Sequence, residues 1–178
     1  MGYYVNLKTD QSEFFLAKEN FAEAYEAMVK LNDLDHMKRG GSWGGEGISK
    51  DDERPAGMDH HPARWFSWMQ SDYPNHYKTT PEILEGLGFQ LSYDADGNIN
   101  GLNYDDKTGQ EDLFIGAIAH LVRDGSRLVW QGEDGTVWAY MFNGKEMLTL
   151  DVPLEYAIQK VLDEKMQNLL IKSALEEL

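Results

Sequence analysis

Cysteine is absent from the 178-residue chain, which excludes disulfides, thiolate nucleophiles and iron–sulfur clusters. Histidine, aspartate and glutamate are then the only strong ligands available to a metal ion. No run approaches the roughly 18 apolar residues that a membrane span needs. The first residues, MGYYVNLKTD, lack the basic start and apolar run of a signal peptide. We therefore expect a cytoplasmic protein that makes no contact with a membrane.

Basic residues are scarce. The chain has 16 Lys and Arg against 31 Asp and Glu, a formal charge of −15, and the acidic excess is concentrated after residue 50. A negative field opposes binding to nucleic acid and favours either solubility or a basic partner. We expect no direct nucleic-acid contact and a basic partner, while the simpler reading, solubility alone, stays open.

The pattern of apolar residues predicts an α+β protein. Weak alternation indicates a first strand at 2–8, with Tyr3 or Tyr4 facing the core. Apolar residues at helical spacing predict an amphipathic helix at 20–34, capped by Asn20 in a capping box. We expect helices packed on one face of an antiparallel sheet of hairpins.

Turn signals place the remaining elements. Thr80 before proline marks a helix at 81–87, and helical spacing marks another at 111–122. Alternating residues around DADGN predict a hairpin at 89–104. Asp-Gly and Asn-Gly turns predict a three-stranded antiparallel meander at 127–150. We expect one antiparallel sheet built from residues 2–8, 89–104 and 127–150.

The last predicted element is a long C-terminal helix at 153–178, whose apolar residues spread wider than one stripe. Such a helix is either buried on two sides or pairs with another copy in a homodimer. The predicted organisation is an α+β core domain at 1–150 with a long loop at 38–62. Residues 151–178 form a helix of the same domain or an interaction element.

The loop between Lys38 and Pro62 carries six glycines, two prolines and a charged cluster. Loops of this length inside a compact domain are usually mobile or functional. Trp43, Trp65 and Trp68 gather around it, and tryptophan is enriched at binding hot spots but also pins loops to cores. Both interpretations stay open, and we expect residues 40–68 to be a functional surface.

A rival interpretation is a metal-dependent hydrolase or small-ligand-binding protein that uses loop 40–76. Its candidate residues are Glu46, Asp59, His60, His61 and His76. No HExxH, HxH or 2-His-1-carboxylate spacing supports a metal. We therefore expect no cofactor and no metal, and we expect these histidines to be exposed or hydrogen-bonded. The DADGNIN segment lacks the glycine and glutamate that complete a calcium loop, which favours a polar turn.

Four segments carry a resemblance: KRGGSWGG, ARWFSWM, KTGQEDLFIGAIAHLV and WQGEDGTVWAYMFNGKEM. Together they resemble uncharacterised small acidic proteins of phages and bacterial mobile elements, over most of residues 1–150. The resemblance implies a phage-encoded inhibitor of a host defence system or of a nucleic-acid-binding protein. It implies no activity and no catalytic residue.

The leading hypothesis is thus a non-enzymatic acidic binding protein. The acidic hairpin residues would face a basic surface in the manner of a DNA mimic, beside the tryptophan loop. The candidate partner-binding residues are Trp43, Glu46, His60, His61, Trp65, Trp68, Asp94, Asp96, Asp105, Asp106, Glu133 and Asp134.

Overall fold

The computed structural model describes residues 2–40, 47–151, 162–163 and 165–168. The strands in these residues are β1 (Tyr4–Leu7), β2 (Arg39–Gly40), β3 (Arg64–Trp65), β4 (Gln90–Tyr93), β5 (Ile99–Asn103), β6 (Asp105–Lys107), β7 (Arg127–Gly132), β8 (Val137–Phe142) and β9 (Met147–Leu150). The α-helices are α1 (Phe21–Lys30), α2 (Tyr73–His76), α3 (Thr80–Gly86) and α4 (Glu111–Ala117).

An antiparallel five-stranded sheet with the order β6-β1-β7-β8-β9 forms the centre of the fold. The prediction of an α+β protein with an antiparallel sheet is confirmed, and so is the meander of β7, β8 and β9. Strand β1 lies between β6 and β7 and pairs with both. It thereby joins the start of the chain to two distant segments.

The hairpin at 89–104 was expected in the same sheet, and this is wrong. Strands β4 and β5 form a two-stranded sheet of their own. Leu16 and Ile99 exchange two backbone hydrogen bonds. The Leu16 N–H donates to the Ile99 carbonyl at 2.9 Å, and the Leu16 carbonyl accepts from the Ile99 N–H at 3.0 Å. This distant segment, rather than the main sheet, therefore pairs with β5.

The core lies between the sheet and the helices. Val5 and Leu7 point inward from β1, while Tyr4 is 48% exposed, so Tyr4 is not the core residue of this strand. Inward-facing Leu128, Trp130 and Phe142 belong to one apolar cluster with residues of α1, α3 and α4. The helices thus cover the inner face of the sheet.

Two predicted helix caps differ from the structure. The Asn20 side chain does not cap α1; its Nδ2 donates to the Leu121 carbonyl at 3.2 Å. Thr79, not Thr80, caps α3 and forms a capping box with Glu82. Thr80 is buried instead, because its hydroxyl donates to a carbonyl of α1.

The helices predicted at 20–34 and 111–122 are shorter than expected. Helix α1 gives way to 3-10 turns at Leu31–Asp33 and Asp35–Met37, and α4 is followed by a 3-10 turn at Ala119–Leu121. Of the helix predicted at 153–178, the described residues 162–163 and 165–168 are helical. The rest of that prediction lies outside the described residues. Within the part that is described, no helix is long and apolar enough to cross a membrane.

Candidate functional site

The long loop is fastened to the body of the protein by an ion-pair cluster. Lys38 Nζ donates to the Asn32 carbonyl at 2.6 Å and to Asp35 Oδ1 at 2.9 Å. Arg54 Nε donates to Asp35 Oδ2 at 2.7 Å, and its Nη2 donates to the Asn32 carbonyl at 3.0 Å. The described part of the loop is therefore held by Arg54 against the 3-10 turns that follow α1.

Asp35 is the centre of this cluster. Burial raises the pKa of its carboxyl group, but the hydrogen bonds from Arg54 and Lys38 outweigh burial and lower that pKa to about 2. Burial lowers the pKa of the Lys38 ammonium group, and Asp35 partly offsets this effect. Because the Lys38 side chain is fully buried, its charge depends on the carboxylate beside it.

His61 holds the loop from within. Its side chain is fully buried, its Nδ1 accepts from the Ala63 N–H at 3.1 Å, and its Nε2 lies 3.1 Å from the Asp52 carbonyl. One nitrogen must accept and the other must donate, which defines the neutral imidazole with hydrogen on Nε2. The role of His61 in this geometry is to order the loop.

The other histidines of the rival metal site have local partners of their own. His60 Nδ1 lies 2.6 Å from Asp59 Oδ1, and His76 Nε2 lies 3.1 Å from Asp72 Oδ1. Glu46 lies outside the described residues. Among the residues that are described, no group of three or more His, Asp or Glu side chains could hold a metal ion.

A polar cavity of about 280 Å³ opens beside the fastened loop. Arg39, Lys50 and Arg64 line it, together with His36, the buried Lys38 and two aspartates. Within residues 2–40 and 47–151, Arg39, Lys50 and Arg64 form no ion pair with a carboxylate. Arg64 donates hydrogen bonds to backbone carbonyls instead. The cavity therefore has a local excess of positive charge, although the chain as a whole is acidic.

Trp68 has the most unusual conformation in the described chain. Its φ is 69°, the one positive φ outside glycine among the described residues, and its side chain is 51% exposed. The indole Nε1 donates to the Lys107 carbonyl at 3.1 Å, and a Cβ on Gly109 would come within 2.6 Å of that nitrogen. The neighbouring Ser67 N–H donates to Gln110 Oε1 at 3.2 Å. Trp68 is thus held half-exposed against the end of β6.

Strand β6 is an edge of the main sheet, and exposed aromatic and acidic side chains meet there. Tyr4 pairs with Lys107 across the strands, and Lys107 Nζ lies 5.3 Å from the centre of the Tyr4 ring. Lys107 therefore contacts both Tyr4 and Trp68. Asp105 and Asp106 are exposed on the same strand, and Asp106 Oδ1 accepts from the Lys107 N–H at 2.7 Å.

The turn between β7 and β8 brings two more carboxylates to this edge. The Glu133 N–H donates to the Tyr4 carbonyl at 3.0 Å, and the Tyr3 hydroxyl donates to Asp134 Oδ1. That hydrogen bond raises the pKa of Tyr3 and lowers the pKa of Asp134. We call the combined surface the β6 corner; it consists of Tyr3, Tyr4, Trp68, Asp105, Asp106, Lys107, Glu133 and Asp134.

The remaining predicted site residues lie elsewhere. Asp94 accepts hydrogen bonds from Asp96 and Asn98 within its own turn, as expected for a polar turn. Lys18 Nζ donates to the Asp96 carbonyl at 3.0 Å, so this turn contacts the chain before α1. Trp65 is half-buried in β3. Trp43 lies outside the described residues.

Sequence reasoning missed three members of the β6 corner: Tyr3, Tyr4 and Lys107. Tyr3 or Tyr4 was expected to face the core, because alternation does not say which phase of a strand points inward. Tyr3 packs against the core cluster, whereas Tyr4 is exposed. The pairing of β1 with both β6 and β7 brings the residues of the β6 corner together, and no local sequence pattern predicts this pairing.

No protein-family model, no curated protein and no solved structure matches the chain.

Proposed function

We propose that this chain is a non-enzymatic protein-binding domain whose contact surface is the β6 corner. The observation that carries the proposal is Trp68, which combines a left-handed backbone conformation with a half-exposed indole. A non-glycine residue in such a conformation costs about 1 to 3 kcal/mol. A tryptophan that served only packing would be expected to be buried and unstrained, whereas exposed tryptophan is typical of binding hot spots.

The charges around Trp68 indicate the chemistry of the partner. Four carboxylates, those of Asp105, Asp106, Glu133 and Asp134, accompany one lysine at the corner. Such a rim favours a basic surface and speeds its association at low salt. A basic host protein that binds nucleic acid has this chemistry, and the resemblance to phage proteins leads us to propose inhibition as the outcome. Asp94 and Asp96 belong to another turn and are not part of this surface.

The proposal is tested with three variants of the full chain. Trp68→Gly removes the indole and relieves the backbone, and Asp105→Lys with Glu133→Lys reverses charge at two side chains. Asp96→Lys is the matched control, since it reverses an exposed charge outside the corner. Captured proteins from a host lysate are identified, and the affinity of a purified partner is then measured across salt.

The proposal expects a basic partner that binds wild type and the Asp96→Lys control with similar affinity. Loss of a hot-spot tryptophan costs at least about 2 kcal/mol, so Trp68→Gly should weaken binding by roughly 30-fold. The double reversal should weaken binding most at low salt. A partner that binds Trp68→Gly as tightly as wild type would exclude the β6 corner as the contact surface.

A second candidate function is binding of a small oxyanion in the polar cavity. The supporting observation is that Arg39, Lys50 and Arg64 line one cavity and have no carboxylate partner among residues 2–40 and 47–151. Guanidinium groups suit phosphate geometry. Titration with pyrophosphate should change the amide chemical shifts of the residues that line this cavity in wild type and in the control variant Lys145→Gln. It should leave those shifts unchanged in the double variant Arg39→Gln with Lys50→Gln. An equal response in the control and the double variant would refute oxyanion binding in this cavity.

A further inference from the structure

A second cavity, of about 510 Å³, opens between helix α1 and the start of helix α3. One wall comes from residues 21–26 of α1, and the facing wall comes from residues 78–81. This volume lies within the range of about 300 to 1,000 Å³ that is usual for small-molecule sites. None of the described residues that line it belongs to the β6 corner or to the polar cavity. We call it the α1–α3 cavity.

The two walls of the α1–α3 cavity are joined by hydrogen bonds. The Tyr25 hydroxyl donates to the Tyr77 carbonyl at 3.0 Å, and the Thr80 hydroxyl donates to the Phe21 carbonyl at 2.6 Å. The Thr79 side chain caps α3 and orders the chain at the same place. The cavity is therefore formed before any ligand binds, which reduces the cost of ordering side chains on binding.

The interior of the cavity is apolar. Phe21, Ala22 and Tyr25 line it from α1, and Pro81 lines it from the facing wall. The hydroxyl protons of Tyr25 and Thr80 are already donated within the protein. Two aromatic side chains one helical turn apart suit a flat aromatic ring, because aromatic pairs add edge and stacking contacts to the burial of apolar surface.

Two opposite charges stand at the rim of the cavity. Glu26 lies on the α1 wall and Lys78 on the facing wall, and both are exposed. In the described parts of the chain, neither forms an ion pair with the other or with a third residue. Lys78 Nζ donates one hydrogen bond, to the Pro74 carbonyl at 2.8 Å, and an ammonium group has three donors. A complementary ligand therefore carries a carboxylate for Lys78 and an ammonium group for Glu26.

We propose that the α1–α3 cavity binds a free α-amino acid with an aromatic side chain. The ring lies between the aromatic residues of α1 and Pro81. The ligand carboxylate pairs with Lys78, and the ligand ammonium group pairs with Glu26. A free aromatic amino acid carries both charges directly beside an apolar ring, which matches the order of rim and interior. The site is independent of partner binding at the β6 corner.

The test compares ligands that lack one group each. The full chain is titrated with L-phenylalanine and with L-tryptophan, and amide chemical shifts are followed. N-acetyl-L-phenylalanine lacks the ammonium group, L-phenylalaninamide lacks the carboxylate, and L-alanine lacks the ring. The first two also represent the C-terminal and the N-terminal residue of a peptide. We expect saturable shifts at residues 21–26 and 78–81 with the aromatic amino acids, and binding that is several-fold weaker with each of the other three ligands.

Variants assign each charge to its side chain. Lys78→Gln and Glu26→Gln should each weaken the binding of L-phenylalanine by about 2- to 5-fold, as for exposed ion pairs. Lys78→Gln should leave the affinity for L-phenylalaninamide unchanged, because that ligand has no carboxylate. The matched controls are Lys30→Gln and Glu19→Gln, which change exposed charges outside the cavity and should change no affinity.

A further variant fills the cavity without changing its charges. Ala22 is exposed on the α1 wall, so Ala22→Trp should abolish binding, whereas Ala95→Trp in an exposed turn should not. If neither aromatic amino acid gives saturable shifts up to about 10 mM, the cavity is not an amino-acid site. Equal affinity for L-phenylalanine and either of its blocked forms would overturn the proposal in favour of a peptide terminus.

Discussion

The Asp35 carboxylate should be the main electrostatic support of the fastened loop, and Asp35→Asn removes its charge with little change in shape. The pKa of Asp35 is about 2 in the fold against an ordinary 3.8. Since one pKa unit corresponds to about 1.4 kcal/mol, the carboxylate contributes about 2 kcal/mol at neutral pH. The substitution also leaves the buried Lys38 ammonium group without its counter-charge. We expect the free energy of unfolding to fall by about 2 to 4 kcal/mol.

The pH dependence of this effect has a defined sign. Because the fold lowers the pKa of Asp35, its stabilisation is complete above the ordinary pKa of 3.8 and is lost as the pH falls towards about 2. Wild type and Asp35→Asn should therefore differ most at neutral pH. The difference between their free energies of unfolding should shrink between about pH 4 and pH 2.

Urea unfolding followed by tryptophan fluorescence at pH 7, 4 and 3 measures both effects. Asp33→Asn is the matched control, since Asp33 is 73% exposed and contacts Arg54 at 3.4 Å. An exposed pair of this kind contributes about 0 to 1 kcal/mol. If Asp35→Asn and Asp33→Asn unfold at the same urea concentration, the ion-pair cluster does not fasten the loop.

Three further substitutions test other parts of the account. His61→Leu leaves the buried Ala63 N–H unpaired, whereas the Asp52 carbonyl keeps its hydrogen bond from Arg64, so thermal unfolding should show a loss of about 1 to 3 kcal/mol of stability. His60→Leu should cost far less in the same measurement. Thr79→Ala removes the cap of α3 and should lower stability by about 1 kcal/mol in urea unfolding, and no change would show that the box is not formed. Gly109→Ala should displace the indole of Trp68, seen as a shift in its fluorescence, and weaken partner binding; unchanged binding would contradict the role of that indole.

Local signals in the sequence predicted the meander and the positions of the helices. Asp-Gly and Asn-Gly favour tight turns because glycine adopts positive φ values without strain. Gly135 and Gly144 have φ values of 83° and 78°. The alternating apolar residues between them then specify the strands. The long-range pairings were not predictable in this way. Leu16 lies more than 80 residues from Ile99, and its pairing separates the hairpin at 89–104 from the main sheet.

The candidate site was predicted in part. Trp68 and the carboxylates of the hairpins were selected from composition and turn patterns. Their division into the β6 corner and the separate Asp94 turn depends on β1, which pairs with β6 on one side and with β7 on the other. The positive φ of Trp68 also has no signature in sequence, because it results from contacts with Lys107 and the chain near Gly109.

The most direct test of the account is the affinity of the captured partner for Trp68→Gly, measured by calorimetry beside wild type and Asp96→Lys. We predict a loss of roughly 30-fold for Trp68→Gly and none for Asp96→Lys. The stability of Trp68→Gly should stay within about 1 kcal/mol of wild type, since relief of backbone strain offsets the lost hydrogen bond. Wild-type affinity in a folded Trp68→Gly protein would contradict the claim that the β6 corner binds the partner.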